Sequence, residues 1–236
     1  MNRKEENKKP GLILALDFEN VDTVRRFLDS WGDRVTFIKI GPGLFARGGI
    51  PFIVELMGGG WKVFLDLKLH DIPNTVAGAV KVLSSEGVWA VTLHTSGGRD
   101  MMSAAAKECR DGTPLLFGVT VLTSLDQGSW EEVHPSCPMQ DALLQRAKAA
   151  KNSQMDGIVC SPRELRLFSD PAFDGLIKIV PGIRPLGYEV RDDQKRTATP
   201  IEAAREGADF VVVGRPVIQA VHPGNVIDTI LEDLKQ

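Results

Sequence analysis

Asp66, Lys68 and Asp71 stand close together in the run Phe64-Leu-Asp-Leu-Lys-Leu-His-Asp71. In a β-strand every second side chain points to the same face, so Asp66 and Lys68 share one face with Phe64 and the intervening leucines share the other. The leucine face must pack against helices, which directs Asp66 and Lys68 to the opposite side of the sheet. A carboxylate and an ammonium on that side must pair, and about 4 Å apart at an effective dielectric near 20 they gain about 4 kcal/mol. The spacing predicts a lysine that an acid holds in place as a proton donor.

Two further strand-like segments end in charge, the first at Asp17 and the second near Lys39. Polar residues at the carboxyl ends of barrel strands are the usual position of an active site. Two alternatives stay open at this stage. A strand-end acid can instead accept hydrogen bonds from loop N–H groups, and Asp71, which precedes Ile72-Pro73, fits a helix cap.

The carboxyl-terminal third of the chain carries residues suited to binding an anion. Pro181-Gly-Ile-Arg184 and Gly214-Arg215-Pro each follow an apolar segment. Loops after the last two strands of a barrel commonly bind phosphate through backbone N–H groups, here joined by guanidinium groups. The alternative is that Arg184 and Arg215 form surface salt bridges. The segment 182–199, which contains Gln194 and little apolar anchorage, is interpreted as a lid that orders on ligand binding.

Short apolar runs alternate with amphipathic stretches along the whole chain, which predicts one (β/α)8 barrel over residues 12–236 behind a tail at residues 1–11. The predicted strands are 12–17, 36–40, 62–68, 90–94, 115–121, 157–160, 177–180 and 210–213. The predicted helices are 20–31, 51–57, 75–85, 99–110, 139–152, 163–168, 200–206 and 225–234. An open doubly wound sheet is the alternative, disfavoured because no glycine-rich phosphate loop follows the first strand.

Composition narrows the class of protein. A chain of 236 residues fits a single barrel, and its net charge of −3 argues against a broad nucleic-acid surface. The longest stretch without a charged residue is 14 residues, 112–125, so no membrane-spanning segment is expected. The first ten residues lack the apolar core of a signal peptide, which predicts a cytoplasmic protein. The four histidines show no metal-ligand spacing and no nucleotide-binding glycine motif is present, so neither metal nor cofactor is expected.

The run Asp66-x-Lys-x-x-Asp-Ile-Pro-Asn-Thr75, with Asp17 and Lys39 on the preceding strands, resembles orotidine 5′-monophosphate decarboxylases of the bacterial type. The similarity extends over nearly the whole chain from Leu12 onward. Further matching motifs are Thr92-Leu-His-Thr-Ser-Gly-Gly98 followed by Met101-Met102, Val121-Leu-Thr-Ser124, Pro181-Gly-Ile-Arg-Pro185, Asp193-Gln-Lys-Arg196 and Val213-Gly-Arg215.

This resemblance implies a cofactor-free decarboxylation of orotidine 5′-monophosphate to UMP and carbon dioxide in de novo pyrimidine synthesis. It makes Lys68 the proton donor to C6 and places Asp66 against the departing carboxylate. Lys39 bridges the charged residues and the ribose, and Asp17 binds the sugar hydroxyls.

The resemblance also implies a binding set for the rest of the nucleotide and a homodimer. Asp71 and Thr75, four residues apart at a helix start, are expected to reach the site of the neighbouring subunit. The remaining implied substrate-binding residues are Ile72, Thr123 beside the pyrimidine, Pro181, and the phosphate ligands Arg184, Gln194, Gly214 and Arg215.

Two rival functions remain at the level of sequence. One is a metal-assisted decarboxylase or aldolase acting on a sugar phosphate, a sister family that shares the Asp-x-Lys-x-x-Asp strand but has an acidic metal ligand in place of Lys39. The other is a barrel that binds nucleotide phosphate as a regulator without catalysis. An unused buried charge cluster would be an uncompensated cost, which argues against this second rival.

Overall fold

The computed structural model describes residues 9–188 and 196–236, and these form a closed barrel of eight parallel strands. Neighbouring strands pair in chain order, and β1 pairs with β8 from Gly11 opposite Phe210 to Leu14 opposite Val213, which closes the sheet. The barrel prediction is confirmed, and the open-sheet alternative is wrong. The strands are β1 (Gly11–Ala15), β2 (Phe37–Ile40), β3 (Lys62–Leu69), β4 (Ala90–His94), β5 (Leu115–Val119), β6 (Gly157–Val159), β7 (Ile177–Val180) and β8 (Phe210–Val213).

Helices connect the strands and cover the outside of the barrel. The α-helices are α1 (Val21–Trp31), α2 (Pro42–Gly58), α3 (Pro73–Ser85), α4 (Gly98–Ala106), α5 (Gln127–Val133), α6 (Met139–Asn152), α7 (Pro200–Arg205), α8 (Arg215–Ile218) and α9 (Pro223–Asp233). The connection from β6 to β7 carries 3₁₀ turns at Pro162–Phe168 and Pro171–Phe173, where an α-helix was predicted over 163–168. No helix within these described ranges is long and apolar enough to cross a membrane.

Several predicted boundaries are wrong by a few residues. β1 starts at Gly11, one residue inside the predicted tail, and ends two residues before Asp17, while β5 ends at Val119. Residues 1–8 of the predicted tail lie outside the described part of the chain. The predicted helix 51–57 corresponds to the second half of α2 only, since the backbone at Gly49 (φ 59°) interrupts α2 just before Pro51.

Polar side chains fix where helices begin. The Asn20 side chain accepts a hydrogen bond from the N–H of Thr23 at the start of α1 (2.9 Å). A capping box begins α7, since the Glu202 carboxylate accepts from the N–H of Thr199 (2.7 Å) and the Thr199 hydroxyl accepts from the N–H of Glu202 (3.2 Å).

The core has two layers, as the alternation of side chains in each strand requires. One face of every strand packs outward against the helices, and the other fills the barrel interior. Near the amino-terminal ends of the strands, the interior is closed by aromatic rings whose centroids lie 4.6–6.4 Å apart, contributed by Phe37, Phe64, Trp89, Phe117 and Phe210. We call these five residues the aromatic floor.

Candidate active site

Four charged side chains of alternating sign lie in line at the carboxyl-terminal mouth of the barrel. Lys39 Nζ is 3.1 Å from Asp17 Oδ1 and 3.6 Å from Asp66 Oδ2, and Lys68 Nζ is 2.8 Å from Asp66 Oδ1. We call Asp17, Lys39, Asp66 and Lys68 the charge array. Each ammonium faces at least one carboxylate, so the array gathers four ionised groups at small electrostatic cost.

A bulge in β3 directs Lys68 toward the mouth. Phe64 lies in the barrel interior and Leu65 packs outward, as the alternation predicts, but the pairing of β3 with β4 shifts register between Leu65 and Leu69. Within the bulge Lys68 has a left-handed backbone (φ 51°), which costs roughly 1–2 kcal/mol for a residue other than glycine. Such strain persists where the surroundings enforce it and is concentrated at functional sites.

Thr92 on β4 connects the backbone of the bulge to the charge array. Its hydroxyl accepts from the backbone N–H of Lys68 (2.8 Å) and donates to Asp66 Oδ1 (3.0 Å). Burial alone would raise the pKa of the Asp66 carboxyl. The ammonium groups of Lys39 and Lys68 and the Thr92 hydroxyl lower this pKa by more than burial raises it, so it lies below its usual value. Asp66 is therefore held as a carboxylate.

The residues predicted to bind an anion line the same cavity as the charge array. The cavity has a volume of about 260 Å³, and Pro181, Arg184, Gly214 and Arg215 form the part of its wall that follows β7 and β8. Gly214 packs closely against the first strand, because a Cβ atom at this position would lie 3.2 Å from the Cβ of Ala15 and 3.4 Å from Asp17 Oδ2. The site thus places two guanidinium groups in the same chamber as a lysine–carboxylate pair.

The rest of the cavity wall is largely apolar. Phe64, Val119, Val159, Ile179 and Val212 form its base, above the other rings of the aromatic floor. The loop after β5 contributes the segment 121–124, which includes Thr123. An apolar base beside fixed charges suits a flat ligand that carries an anionic group. Within residues 9–188 and 196–236, no three His, Cys, Asp or Glu side chains are grouped closely enough to hold a metal ion.

Comparison with known proteins identifies the family of this barrel. The model of the family "Orotidine 5′-phosphate decarboxylase / HUMPS family" matches residues 10–230. The chain belongs to this family. An orotidine 5′-phosphate decarboxylase of Legionella pneumophila (strain Paris) is 40% identical over 228 residues, covering 95% of this chain and 99% of the relative. One of Vibrio cholerae (strain ATCC 39541) is 41% identical over 229 residues, covering 95% and 98%. The crystal structure of orotidine 5′-phosphate decarboxylase from Lactobacillus acidophilus superimposes with a TM-score of 0.83 at 35% identity, covering 97% of this chain and 100% of the other.

Not all the residues implied by resemblance to the decarboxylase family lie on the cavity. Asp71 and Ile72 line a separate shallow depression with His70, Pro73, Ser96 and Gly97, and Thr75 is exposed on the first turn of α3. Asp71 Oδ1 accepts from the adjacent N–H of Ile72 (2.6 Å), while the N-cap position of α3 is Ile72, so Asp71 is not the N-cap residue. Gln194 lies outside the described residues.

Sequence reasoning assigned no role to two residues of this family member that the structure connects to the cavity. Thr92 stands in a motif that the resemblance includes, and its position on the interior face of β4 was the available signal. Arg196 contacts the loop after β5 from a segment more than 70 residues away in sequence, which no local pattern reports.

The half-buried His94 at the end of β4 leads to a prediction about pH and stability. Burial lowers the pKa of its imidazole, and the charges of His70, Lys68 and Arg146 lower it further, while Asp66 opposes them. An unfolded histidine binds a proton near pH 6.5, whereas folded His94 stays neutral to lower pH. The unfolded state therefore binds more protons as the pH falls through about 6.5, and the free energy of unfolding decreases.

We expect His94→Gln to flatten this dependence between about pH 7.5 and pH 5, by less than one proton in the slope. Urea unfolding of wild type and variant across this range measures the slope. The exposed His222→Gln serves as the control variant. Equal slopes in wild type and His94→Gln would exclude His94 as the source.

Proposed function

We propose that this protein is an orotidine 5′-phosphate decarboxylase that converts orotidine 5′-monophosphate to UMP and carbon dioxide, with Lys68 as the proton donor. The observation that carries the proposal is the charge array in one cavity with Arg184 and Arg215. Membership of the decarboxylase family supports the same substrate. The product places the enzyme in pyrimidine biosynthesis.

The chemistry requires a fixed cation beside C6 of the substrate. When the bond from C6 to the carboxylate breaks, carbon dioxide leaves and the electron pair stays in the plane of the ring, where it does not delocalise as an enolate does. The Lys68 ammonium stabilises this charge and then transfers a proton from Nζ to C6. Asp66 orients Lys68 through the 2.8 Å contact between Oδ1 and Nζ. The Lys39 ammonium, 3.6 Å from Asp66 Oδ2, offsets the negative charge of the same carboxylate. Lys68 regains its proton from solvent after product release.

The ribose and phosphate fix the position of the ring over Lys68. Asp17 and Lys39, at the outer end of the charge array, are placed to bind the sugar hydroxyls. Arg184 and Arg215 bind the phosphate with the backbone around Gly214, and Gln194 is proposed to join them. Binding energy gained at the phosphate is used to orient the reacting carbon.

We expect Arg215→Ala to lower kcat/KM on orotidine 5′-monophosphate about ten- to a hundredfold, because it removes a charge-assisted contact worth roughly 1.5–3 kcal/mol. Steady-state kinetics on the nucleotide and on the phosphate-free nucleoside orotidine measure the effect. The nucleoside should lose much less. An equal loss on both substrates would mean that Arg215 is not a phosphate ligand.

The shallow depression beside α3 is the basis for proposing a homodimer with shared sites. Ile72 is 67% exposed and stands next to the exposed Asp71, outside the cavity that contains Lys68. The residues that the resemblance assigns to the neighbouring site thus lie on the surface, within reach of a second subunit. In the proposed dimer Asp71, Ile72 and Thr75 of one subunit complete the site of the other.

One assay separates the proposed function from its rivals. Purified protein is incubated with orotidine 5′-monophosphate, with and without EDTA, while the orotate absorbance is followed. Loss of absorbance that EDTA does not slow is expected. Inhibition by EDTA would favour the metal-assisted rival, although Lys39 Nζ already lies within 4 Å of both neighbouring carboxylates, Asp17 and Asp66. No turnover in either condition would refute the proposed function and favour one of its two rivals, the regulatory barrel or an enzyme that acts on a different sugar phosphate.

A further inference from the structure

Arg196 joins three segments of the chain at the edge of the cavity. Its guanidinium donates through Nη2 to the carbonyl of Leu122 (3.2 Å) and through Nε to the carbonyl of Thr123 at a long 3.4 Å, and Nη1 contacts the Glu164 carboxylate. Leu122 and Thr123 belong to the cavity wall after β5, and Glu164 belongs to the 3₁₀ turn after β6. These contacts use three of the five N–H donors of the guanidinium group, one on each nitrogen.

The partner carboxylate is deeply buried. The Glu164 side chain is 4% exposed and that of Arg196 is 12% exposed. The second oxygen of Glu164 accepts from the N–H of Ser161 (2.9 Å), which fixes the carboxylate in its turn. Burial raises the pKa of Glu164 even beside the guanidinium of Arg196. A buried ion pair of this kind is weak evidence for stabilisation of the fold, so its position beside the cavity calls for another explanation.

The backbone next to Arg196 is also fixed to the anion-binding side of the cavity. The carbonyl of Ala198 accepts from the N–H of Arg184 (2.9 Å), and the N–H of Ala198 donates to the carbonyl of Gly182 (3.4 Å). Arg196 therefore projects from a backbone that is anchored at the loop after β7, and its side chain reaches the loop after β5. The two walls of the cavity are held at a set separation by one side chain.

The loop segment 121–124, which forms this wall of the cavity, is held by hydrogen bonds from side chains outside the loop. The segment 121–124 follows the end of β5, and the carbonyl of Leu122 accepts one backbone hydrogen bond, from the N–H of Leu125 (3.0 Å). Just before this segment, Arg146 Nη1 donates to the carbonyl of Thr120 (2.7 Å). Arginine side chains from outside the loop thus set the position of its carbonyl groups.

We propose that Arg196 is a positioning residue, oriented by Glu164, that fixes the Leu122–Thr123 wall against the reacting ring of the substrate. This inference rests on the proposed function. The wall contacts the ring and not the phosphate, so its displacement weakens transition-state positioning on any substrate that carries the ring. The role differs from that of Arg215, which acts through the phosphate.

Arg196→Lys is the variant that tests the proposal. A lysine keeps the positive charge beside Glu164, but its single ammonium does not reproduce the planar fork that reaches both carbonyls. We expect kcat/KM to fall at least tenfold on orotidine 5′-monophosphate and by a similar factor on orotidine. Arg166→Lys is the matched control, because Arg166 lies in the same turn as Glu164 but makes an exposed two-bond contact with Glu206 and does not line the cavity. This variant should stay within twofold of wild type.

Hydrogen exchange gives a readout that does not depend on activity. The amides of 121–125 should exchange faster in Arg196→Lys than in wild type, while those of β7 stay unchanged. If Arg196→Lys does not fold, the double variant Arg196→Gln with Glu164→Gln removes both buried charges together and is expected to give the same kinetic and exchange results.

A loss on orotidine below threefold would overturn the proposal, as would unchanged exchange in 121–125. A loss confined to the nucleotide would assign Arg196 to phosphate binding instead. A wild-type protein without decarboxylase activity would refute the proposed function, and the exchange experiment would still decide whether Arg196 fixes the wall.

Discussion

Lys68→Ala is expected to lower kcat on orotidine 5′-monophosphate by at least about 10⁴-fold, because it removes both the proton donor and the cation beside C6. General acid catalysis contributes about 10²–10⁴-fold and a fixed electrostatic partner about 10²–10³-fold. Affinity for UMP should change little, since the lost interaction belongs to the transition state. Turnover assays and UMP titration measure the two effects separately.

The fold should survive this substitution. Lys68 is partly exposed and contacts the charge array rather than the core, and alanine experiences the same left-handed backbone as lysine. The exposed Lys81→Ala serves as the control, with activity near that of wild type. Lys68→Arg separates charge from proton transfer, because a guanidinium keeps its proton in proteins. A near-normal kcat in Lys68→Ala would show that Lys68 is not the proton donor.

Mixing inactive Lys68→Ala protein with inactive Asp71→Ala protein is expected to restore about a quarter of wild-type activity. If Asp71 serves the neighbouring site while Lys68 serves its own, each mixed dimer has one site with both substitutions and one with neither. Random exchange makes about half of the dimers mixed, with one of two sites intact in each, across a two-fold interface. Activity after mixing is measured alongside native mass spectrometry of subunit exchange.

A matched mixture sharpens this test. Lys68→Ala combined with Asp66→Ala should restore nothing, because Asp66 and Lys68 lie 2.8 Å apart in one chain and every site in the mixed dimer keeps one substitution. If exchange is complete and the mixture of Lys68→Ala with Asp71→Ala stays at the level of the separate variants, Asp71 acts within its own chain.

The charge array was predictable because strand geometry is regular. The period of two predicts Asp66 and Lys68 on one face, and the two side chains do meet, although β3 shifts register against β4 between Leu65 and Leu69. A closed parallel barrel brings Asp17 and Lys39 to the same end. The same regularity fixed the anion-binding end, since Arg184 and Arg215 follow β7 and β8 directly. The part of the site that lies at strand ends can therefore be predicted from short sequence patterns.

Features that depend on contacts between distant segments were not predictable. The bulge in β3 arises from its pairing with β4, and the contact of Arg196 with Glu164 joins residues 32 positions apart. Neither α5, with seven residues, nor α8, with four, is long enough to show a helical period in the sequence. Asp71 was placed in a neighbouring site by resemblance alone, and its position outside the cavity could not be derived from spacing.

The aromatic floor lies beneath the active-site cavity, which opens at the carboxyl-terminal end of the barrel. Phe64 and the apolar residues around it form the base of the cavity, and the packed rings of Phe37, Trp89, Phe117 and Phe210 continue below it toward the other end of the barrel. Carbon dioxide formed at the charge array has no way out through this base and must leave through the rim by which the nucleotide entered. Release of carbon dioxide and exchange of the nucleotide therefore use one opening, at the rim of the barrel.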